Sequence, residues 1–295
     1  MFSLSIVAIL FITFVSSLVL NKYLIRYSSF LKLIDTPNER SMHTKQKSRA
    51  GGVAIFLSFI LGIVFLNLDI NFYVVSAFFV VFILGIYDDI CGSSSKTKFF
   101  WLIISSILLY FGEVYIGYLG TFSGYEIGLP ILVSALFTIF AVVGFVNAMN
   151  LIDGLDGLSS GVAIVILSSY TYLGYKYEDL FLLYTSIILI VSLSAFLVYN
   201  WYPSKLFMGD SGSLTLGFVI AVLSIHSVQM DYIAPVSVLL LAAVPILDTL
   251  IVMIRRMRRG KSPFNPDKSH IHHIILKMHY NDVSKTTKIL ILVVF

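Results

Sequence analysis

Charge is what this chain has least of. Only 12% of its 295 residues are Asp, Glu, Lys or Arg, against about 25% in soluble domains. With 58% hydrophobic residues, a fold solvated mainly by water is excluded, and lipid is the principal solvent. Cysteine is nearly absent too. Cys91 stands alone, so no internal disulfide can form and an inert thiol is the plain reading. No G-x-G-x-x-G dinucleotide fingerprint occurs. Gly260-Lys261-Ser262 resembles the end of a Walker A loop, but Arg255 stands where that loop needs its first glycine. No internal repeat is evident.

Long apolar runs, by contrast, are plentiful. A bilayer core takes ~20 apolar residues per helix. Nine runs approach that length: 2–20, 53–68, 72–87, 99–119, 129–149, 158–175, 180–199, 211–228 and 233–254. A tenth starts at Ile289 and meets the chain end at Phe295, too soon to cross. The runs are continuous rather than alternating, which argues against barrel strands. The first lacks a basic flank before it and a small-residue cleavage site after it, so it reads as an anchor. Lys22 and Arg26 follow it, which places the N-terminus outside. By parity, 19 of the 20 Lys and Arg residues then fall on the inner side, leaving only Lys176 outside. The expected architecture is all-α: a single membrane-embedded domain over 1–295, with about nine complete spans plus the start of a tenth. The chain is expected to be C-terminally incomplete.

Acids contribute little to orientation, so their positions need another cause. On the inner side they cluster at span ends: Asp88 and Asp89, then Asp153 and Asp156 within Asn147 to Gly157, then Asp210 in Phe207-Met-Gly-Asp-Ser-Gly-Ser213. Asp210 alone reads equally well as a helix cap, and Asp153 and Asp156 as turn residues beside Gly154 and Gly157. Asp88 and Asp89 resist such readings. They end a helix, where the macrodipole disfavours anions, and adjacent carboxylates repel. Lys96 or Lys98 would offset them, and a hard divalent cation would do so more fully. Oxygen ligands without a Cys–His pattern suit Mg²⁺ or Mn²⁺, and Mg²⁺ commonly binds substrate phosphates together with one or two carboxylates.

The basic loops fit orientation as well as function. Arg40, His43, Lys45, Lys47 and Arg49 crowd the loop before Gly51-Gly52, and Arg49 beside two glycines suits a phosphate or nucleotide edge. His270-Ile-His-His273 carries no accompanying Cys or Glu at zinc spacing, so contact with a diphosphate is the better reading. Asp248 is the one acid within a span, about 10 Å along a helix from Arg255. A buried structural role and a catalytic one are both open for it.

Five motifs in order, Asp35-Thr-Pro-Asn-Glu-Arg40 with Arg49-Ala-Gly-Gly52, Tyr87-Asp-Asp89, Asn147 to Gly157, Phe207 to Ser213, and His270-Ile-His-His273, resemble the polyprenyl-phosphate N-acetylhexosamine-1-phosphate transferases, glycosyltransferase family 4. The resemblance implies a UDP-N-acetylhexosamine donor, Mg²⁺, and undecaprenyl phosphate as the acceptor drawn from membrane lipid. The lipid phosphate would attack the sugar-linked phosphorus and release UMP. This would be an early membrane step of surface polysaccharide synthesis, such as O-antigen formation, on the cytoplasmic face of the inner membrane. It further implies Asp88 as base, Asp89 as support for metal and diphosphate, and Asp210 with Asn150 as metal ligands. Arg49, Asn147, Asp153, Asp156, His270, His272 and His273 would bind substrate. No nucleic acid is expected, and a homodimer is compatible with the resemblance. Some relatives carry a third Asp where Gly92 stands here, so that acid has no role. The alternatives are the peptidoglycan lipid I translocase, whose pattern is three adjacent histidines, and a secondary transporter, whose sites lie at the midplane in repeated halves.

Overall fold

The computed structural model describes residues 4–36, 46–260, 270–280 and 282–294. Arg40, His43 and Lys45 fall outside them, as do Lys268 and Phe295. The described chain is helical: α1 (Leu4–Tyr27), α2 (Gly51–Phe65), α3 (Phe72–Cys91), α4 (Ser95–Phe111), α5 (Ile131–Leu151), α6 (Leu158–Lys176), α7 (Leu180–Asn200), α8 (Gly209–Gln229), α9 (Pro235–Leu241), α10 (Ala243–Arg258), α11 (Ile271–Met278) and α12 (Val283–Val294). Polar side chains start several of these where the apolar runs begin. Asn71 accepts from the Tyr73 amide at α3, Ser94 from Thr97 at α4, and Asp179 from Leu182 at α7.

Every apolar run contains a helix, but nine complete spans are not supported. Among the described residues six helices, α1, α3, α5, α6, α7 and α8, are long and apolar enough to cross a membrane. The pair α9 and α10, bent by 81°, brings the number to seven at most. With 15 residues, α2 reaches about 22 Å against a hydrocarbon core of ~30 Å. The run 99–119 ends as helix at Phe111, where Gly112 and Glu113, at φ 63°, turn the chain. Its last residues enter β3 (Tyr118–Phe122), which pairs antiparallel with β4 (Tyr125–Gly128). A second two-stranded ladder, β1 (Ile34–Asp35) with β2 (Lys47–Ser48), pins both ends of the first basic loop. These strands are additions to the all-helical expectation. The helix expected from Ile289 starts earlier, at Val283, and α12 packs against α6.

The bundle is built around α8. Of its most apolar 18-residue window 94% is buried, against 17% for α1, and α2, α3, α5, α6 and α7 surround it. A helix so enclosed tolerates hydroxyls because they bond back to its own carbonyls: Thr215 to Ser211, Ser224 to Ile220 and Ser227 to Leu223, at 2.7–2.8 Å. The start of α2 crosses the first turn of α8 so closely that a Cβ on Gly52 would lie 2.0 Å from the Gly212 nitrogen. The Gly51 and Gly52 amides donate to the carbonyls of Phe207 and Met208, at 3.1 and 2.8 Å. The glycine pair therefore serves helix–helix contact. Gly51 approaches Phe196 and the Phe207 carbonyl, and Gly52 the first turn of α8.

Candidate active site

Three acid clusters, distant in sequence, meet at the start of α8. Met208 gives that helix no side-chain cap, so its first amides need an acceptor from elsewhere. Asp89, at the end of α3, supplies it: Oδ1 accepts from the Asp210 amide at 2.8 Å and Oδ2 from the Ser211 amide at 2.9 Å. Asp89 is 8% exposed, and both its oxygens are engaged in holding the helix that carries Asp210. Gly209 makes this approach feasible. It sits at φ 72°, and a Cβ there would lie 2.5 Å from the Arg49 carbonyl and 2.7 Å from Asp89 Oδ2. Asp89→Asn puts an NH₂ group against one of these donors. It is expected to cost about 1–3 kcal/mol, read as a lower melting temperature of the purified protein in detergent.

Asp88, one residue earlier, points elsewhere. Its Oδ1 accepts from the Ser93 amide at 2.8 Å and from the Ser93 hydroxyl. Its Oδ2 lies 2.9 Å from Lys98 Nζ, and the same ammonium bonds Asp210 Oδ2. Asn150, from the end of α5, donates through Nδ2 to Asp210 Oδ1 at 3.2 Å and to Ser213 Oγ at 2.8 Å. Asp88, Asp210, Asn150 and Lys98, from four helices, thus form one polar constellation. Lys98 is the compensating cation, as the sequence allowed.

The Asp153–Asp156 turn adjoins it. Asp153 is half-buried. Burial, and then the carboxylates of Asp210, Asp89 and Asp156, push its carboxyl up to about 7; a cation bound nearby would bring it down again. Asp156 makes its own bonds to residues outside the constellation. It accepts from the amide and hydroxyl of Ser204 at 2.9 and 2.8 Å, and Lys47 lies 4.0 Å from it while bonding Ser204 Oγ at 2.8 Å. Its carbonyl takes the Thr287 hydroxyl of α12 at 3.0 Å. Asn200 closes the same junction, accepting from the Gly157 amide and donating to the Leu206 carbonyl. Asp156, Lys47, Asn200 and Ser204 therefore tie three loops together beside α8.

The other expected residues take less central places. Arg49 pairs with Asp35 at 2.8 Å and is half-exposed. Asn147 lies on α5 three residues before Asn150, half-buried. The histidines stand over the Asp153–Asp156 turn. His272 Nε2 would lie 2.4 Å from a Cβ on Gly154, and His270 and His272 stack at 5.7 Å and 10°. Burial, and then the neighbouring His273 and His270, push His272 down to about 3, so its imidazole is neutral at neutral pH.

No trio of His, Cys, Asp and Glu among the described residues forms a ready metal cage. The donors still fit a hard cation. Two carboxylates, Asp88 and Asp210, already share one cation in Lys98 Nζ, and Asn150 adds an amide oxygen. Mg²⁺ asks for one or two carboxylates and completes its octahedron with water and substrate phosphate.

The model of the family described as glycosyl transferase family 4 matches residues 71–228, from α3 through α8. A probable undecaprenyl-phosphate N-acetylglucosaminyl 1-phosphate transferase of Bacillus subtilis is 31% identical over 280 residues, covering 92% of this chain and 77% of the relative. The chain belongs to glycosyl transferase family 4. An undecaprenyl-phosphate alpha-N-acetylglucosaminyl 1-phosphate transferase of Escherichia coli is 31% identical over 256 residues, covering 83% and 69%. A decaprenyl-phosphate N-acetylglucosaminephosphotransferase of Mycobacterium tuberculosis is 32% identical over 294 residues, covering 86% and 71%. The family match spans the helices that carry Asp88, Asp89, Lys98, Asn150 and Asp210 and the turn that carries Asp153 and Asp156. Sequence reasoning missed Asn200, Ser204 and Ser213 in this family 4 site. Lone Asn and Ser residues at span ends give no signal apart from their partners.

Proposed function

We propose that this protein transfers N-acetylhexosamine-1-phosphate from a UDP-sugar to undecaprenyl phosphate and releases UMP. The observation that carries this reading is the convergence of Asp88 and Asp210 on one cation at the mouth of a membrane bundle, in a chain of family 4. Phosphoryl transfer asks mainly for positioning and neutralised charge. When bound, Mg²⁺ would offset the diphosphate charge, held by Asp210 and Asn150. Asp88 accepts the proton of the lipid phosphate. An oxygen of that phosphate attacks the phosphorus bearing the sugar, and the anhydride bond to UMP breaks. Lys98 remains beside the developing charge. Asp89 keeps Asp210 aimed by capping α8. Asp153, His272 and His273, with Arg49 and Asn147 nearer the edge, hold the nucleotide sugar.

The bundle's charge supports the orientation. Lys47, Arg49 and Lys98 stand at the same helix ends as the acids, and Lys and Arg favour the cytoplasmic side. We therefore place the site on the cytoplasmic face of the inner membrane, where a water-soluble donor and a lipid acceptor can meet. Acids at helix ends serve that purpose, whereas a transporter would place them at the midplane. The test is exchange of labelled UMP into a panel of UDP-N-acetylhexosamines, in membranes supplied with undecaprenyl phosphate and Mg²⁺. Exchange is expected with at least one donor, lost on chelation and restored by Mg²⁺. Correctly inserted protein that exchanges none of them would overturn the assignment.

A further inference from the structure

Asp248 is left over once the site is assembled. It is buried on α10, 6% exposed, and both its oxygens are engaged with α11. Oδ1 accepts the Ile271 amide at 2.7 Å, and Oδ2 lies 2.8 Å from His270 Nδ1. Helix α11 needs this help. His270 is its N-cap residue but makes no side-chain cap, so its first amides would otherwise lack an acceptor. The consequences reach the site within two contacts. His270 stacks on His272, and His272 packs onto Gly154 between Asp153 and Asp156. His272 is 2% exposed, and its Nδ1 has no hydrogen-bond partner among the described residues. A buried ring nitrogen without a partner among the described residues is open to a polar group of the donor.

We infer that Asp248 is a positioning residue of the transferase. Through His270 and the first amide of α11 it latches the His270–His273 element over the Asp153–Asp156 turn, so that His272 meets the donor's phosphate or sugar. This rests on the reading of the histidines as donor-binding groups. A carboxylate at Oδ2 also fixes which ring nitrogen carries hydrogen. Nδ1–H of His270 donates to Asp248, leaving Nε2 as the other face of the ring.

Two variants separate latch from bulk. Asp248→Ala removes both contacts. Asp248→Asn keeps an acceptor for the Ile271 amide but presents NH₂ to His270, reversing that hydrogen bond. Hydrogen exchange on the full protein in detergent needs no substrate. Asp248→Ala is expected to speed exchange of the 271–278 amides and of the 152–157 turn, with α8 unaffected. Kinetically, carboxylate partners of metal-bound histidines are commonly worth about 10–100-fold, which sets the scale for a histidine held by Asp248. Asp248→Asn is expected to raise KM for the UDP-sugar by about tenfold, with kcat and the KM for undecaprenyl phosphate within about twofold. In a His270→Ala background Asp248→Asn should cost little more, because its route is gone. Unchanged exchange over 271–278 in Asp248→Ala overturns the latch. If that variant does not accumulate, the same measurement on Asp248→Asn, which should loosen the 152–157 turn, decides it. Faster exchange with an unaltered donor KM overturns the role in the reaction and leaves a purely structural contact. If wild-type protein moves no sugar phosphate while exchange still responds, the transferase reading falls and the anchoring of the histidine element stands.

Discussion

Replacing Asp210 with Asn is expected to reduce UMP exchange by about a thousandfold or more while the protein still inserts and melts within a few degrees of wild type. The side chains are isosteric, and the amide oxygen can still accept from Asn150. What disappears is the negative charge facing Lys98 and any divalent cation. Charge stabilisation by a bound metal is worth several kcal/mol in a phosphoryl-transfer barrier, and each ~1.4 kcal/mol is tenfold in rate. Asp88→Asn should fall as far, through loss of the proton acceptor and of the second carboxylate on Lys98. Activity within tenfold of wild type in either variant, in membranes with saturating Mg²⁺, would refute the assigned roles.

A substitution that touches no reacting group is expected to be nearly as damaging. Gly52→Ala places a methyl group 2.0 Å from the Gly212 nitrogen, where backbone rather than a pliable side chain must give way. Overpacking of this kind costs about 1–3 kcal/mol and sometimes more, and the displaced element is the turn that carries Asp210. Both melting temperature and exchange should drop. Gly144→Ala on α5 is the internal control. A Cβ there meets nothing within 4 Å, so it should be neutral or stabilise by about 0.5–1 kcal/mol through helix propensity. Equal behaviour of the two variants would show that α2 and α8 are not in the contact described.

The helices and the gathering of acids were legible because each leaves a local trace. Apolar length marks a helix, and Asp88, Asp89 and Asp210 at membrane ends violate the default for lipid-facing chains. What stayed hidden depends on partners far along the chain. The Gly51-Gly52 pair signals close approach, but only the fold reveals that α8 is the neighbour. Asp156 stands out in its motif, but its bonds to Ser204 and the nearby Lys47 come from loops far along the chain. The run 99–119 is apolar throughout, so composition could not show that Gly112 and Glu113 turn the chain. The break of the ninth run at Ala242 had a faint signal in Pro245, since proline inside an apolar run argues for an interrupted helix. Asp248 could be recognised as unusual, and its purpose became readable only with His270 beside it.

The sealed central position of α8 has a consequence for the bilayer. Hydrophobic mismatch acts on helices that touch acyl chains, through tilt and local thinning. With 94% of its apolar window covered by protein, α8 has almost no acyl contact through which thickness could act, whereas α1, at 17%, meets lipid along most of its surface while Ser17 holds it to the Ser192 carbonyl of α7. Acyl length should therefore act on turnover through α3 and α5, 44% and 33% buried over their own apolar windows, which carry Asp88 and Asn150, and not through α8.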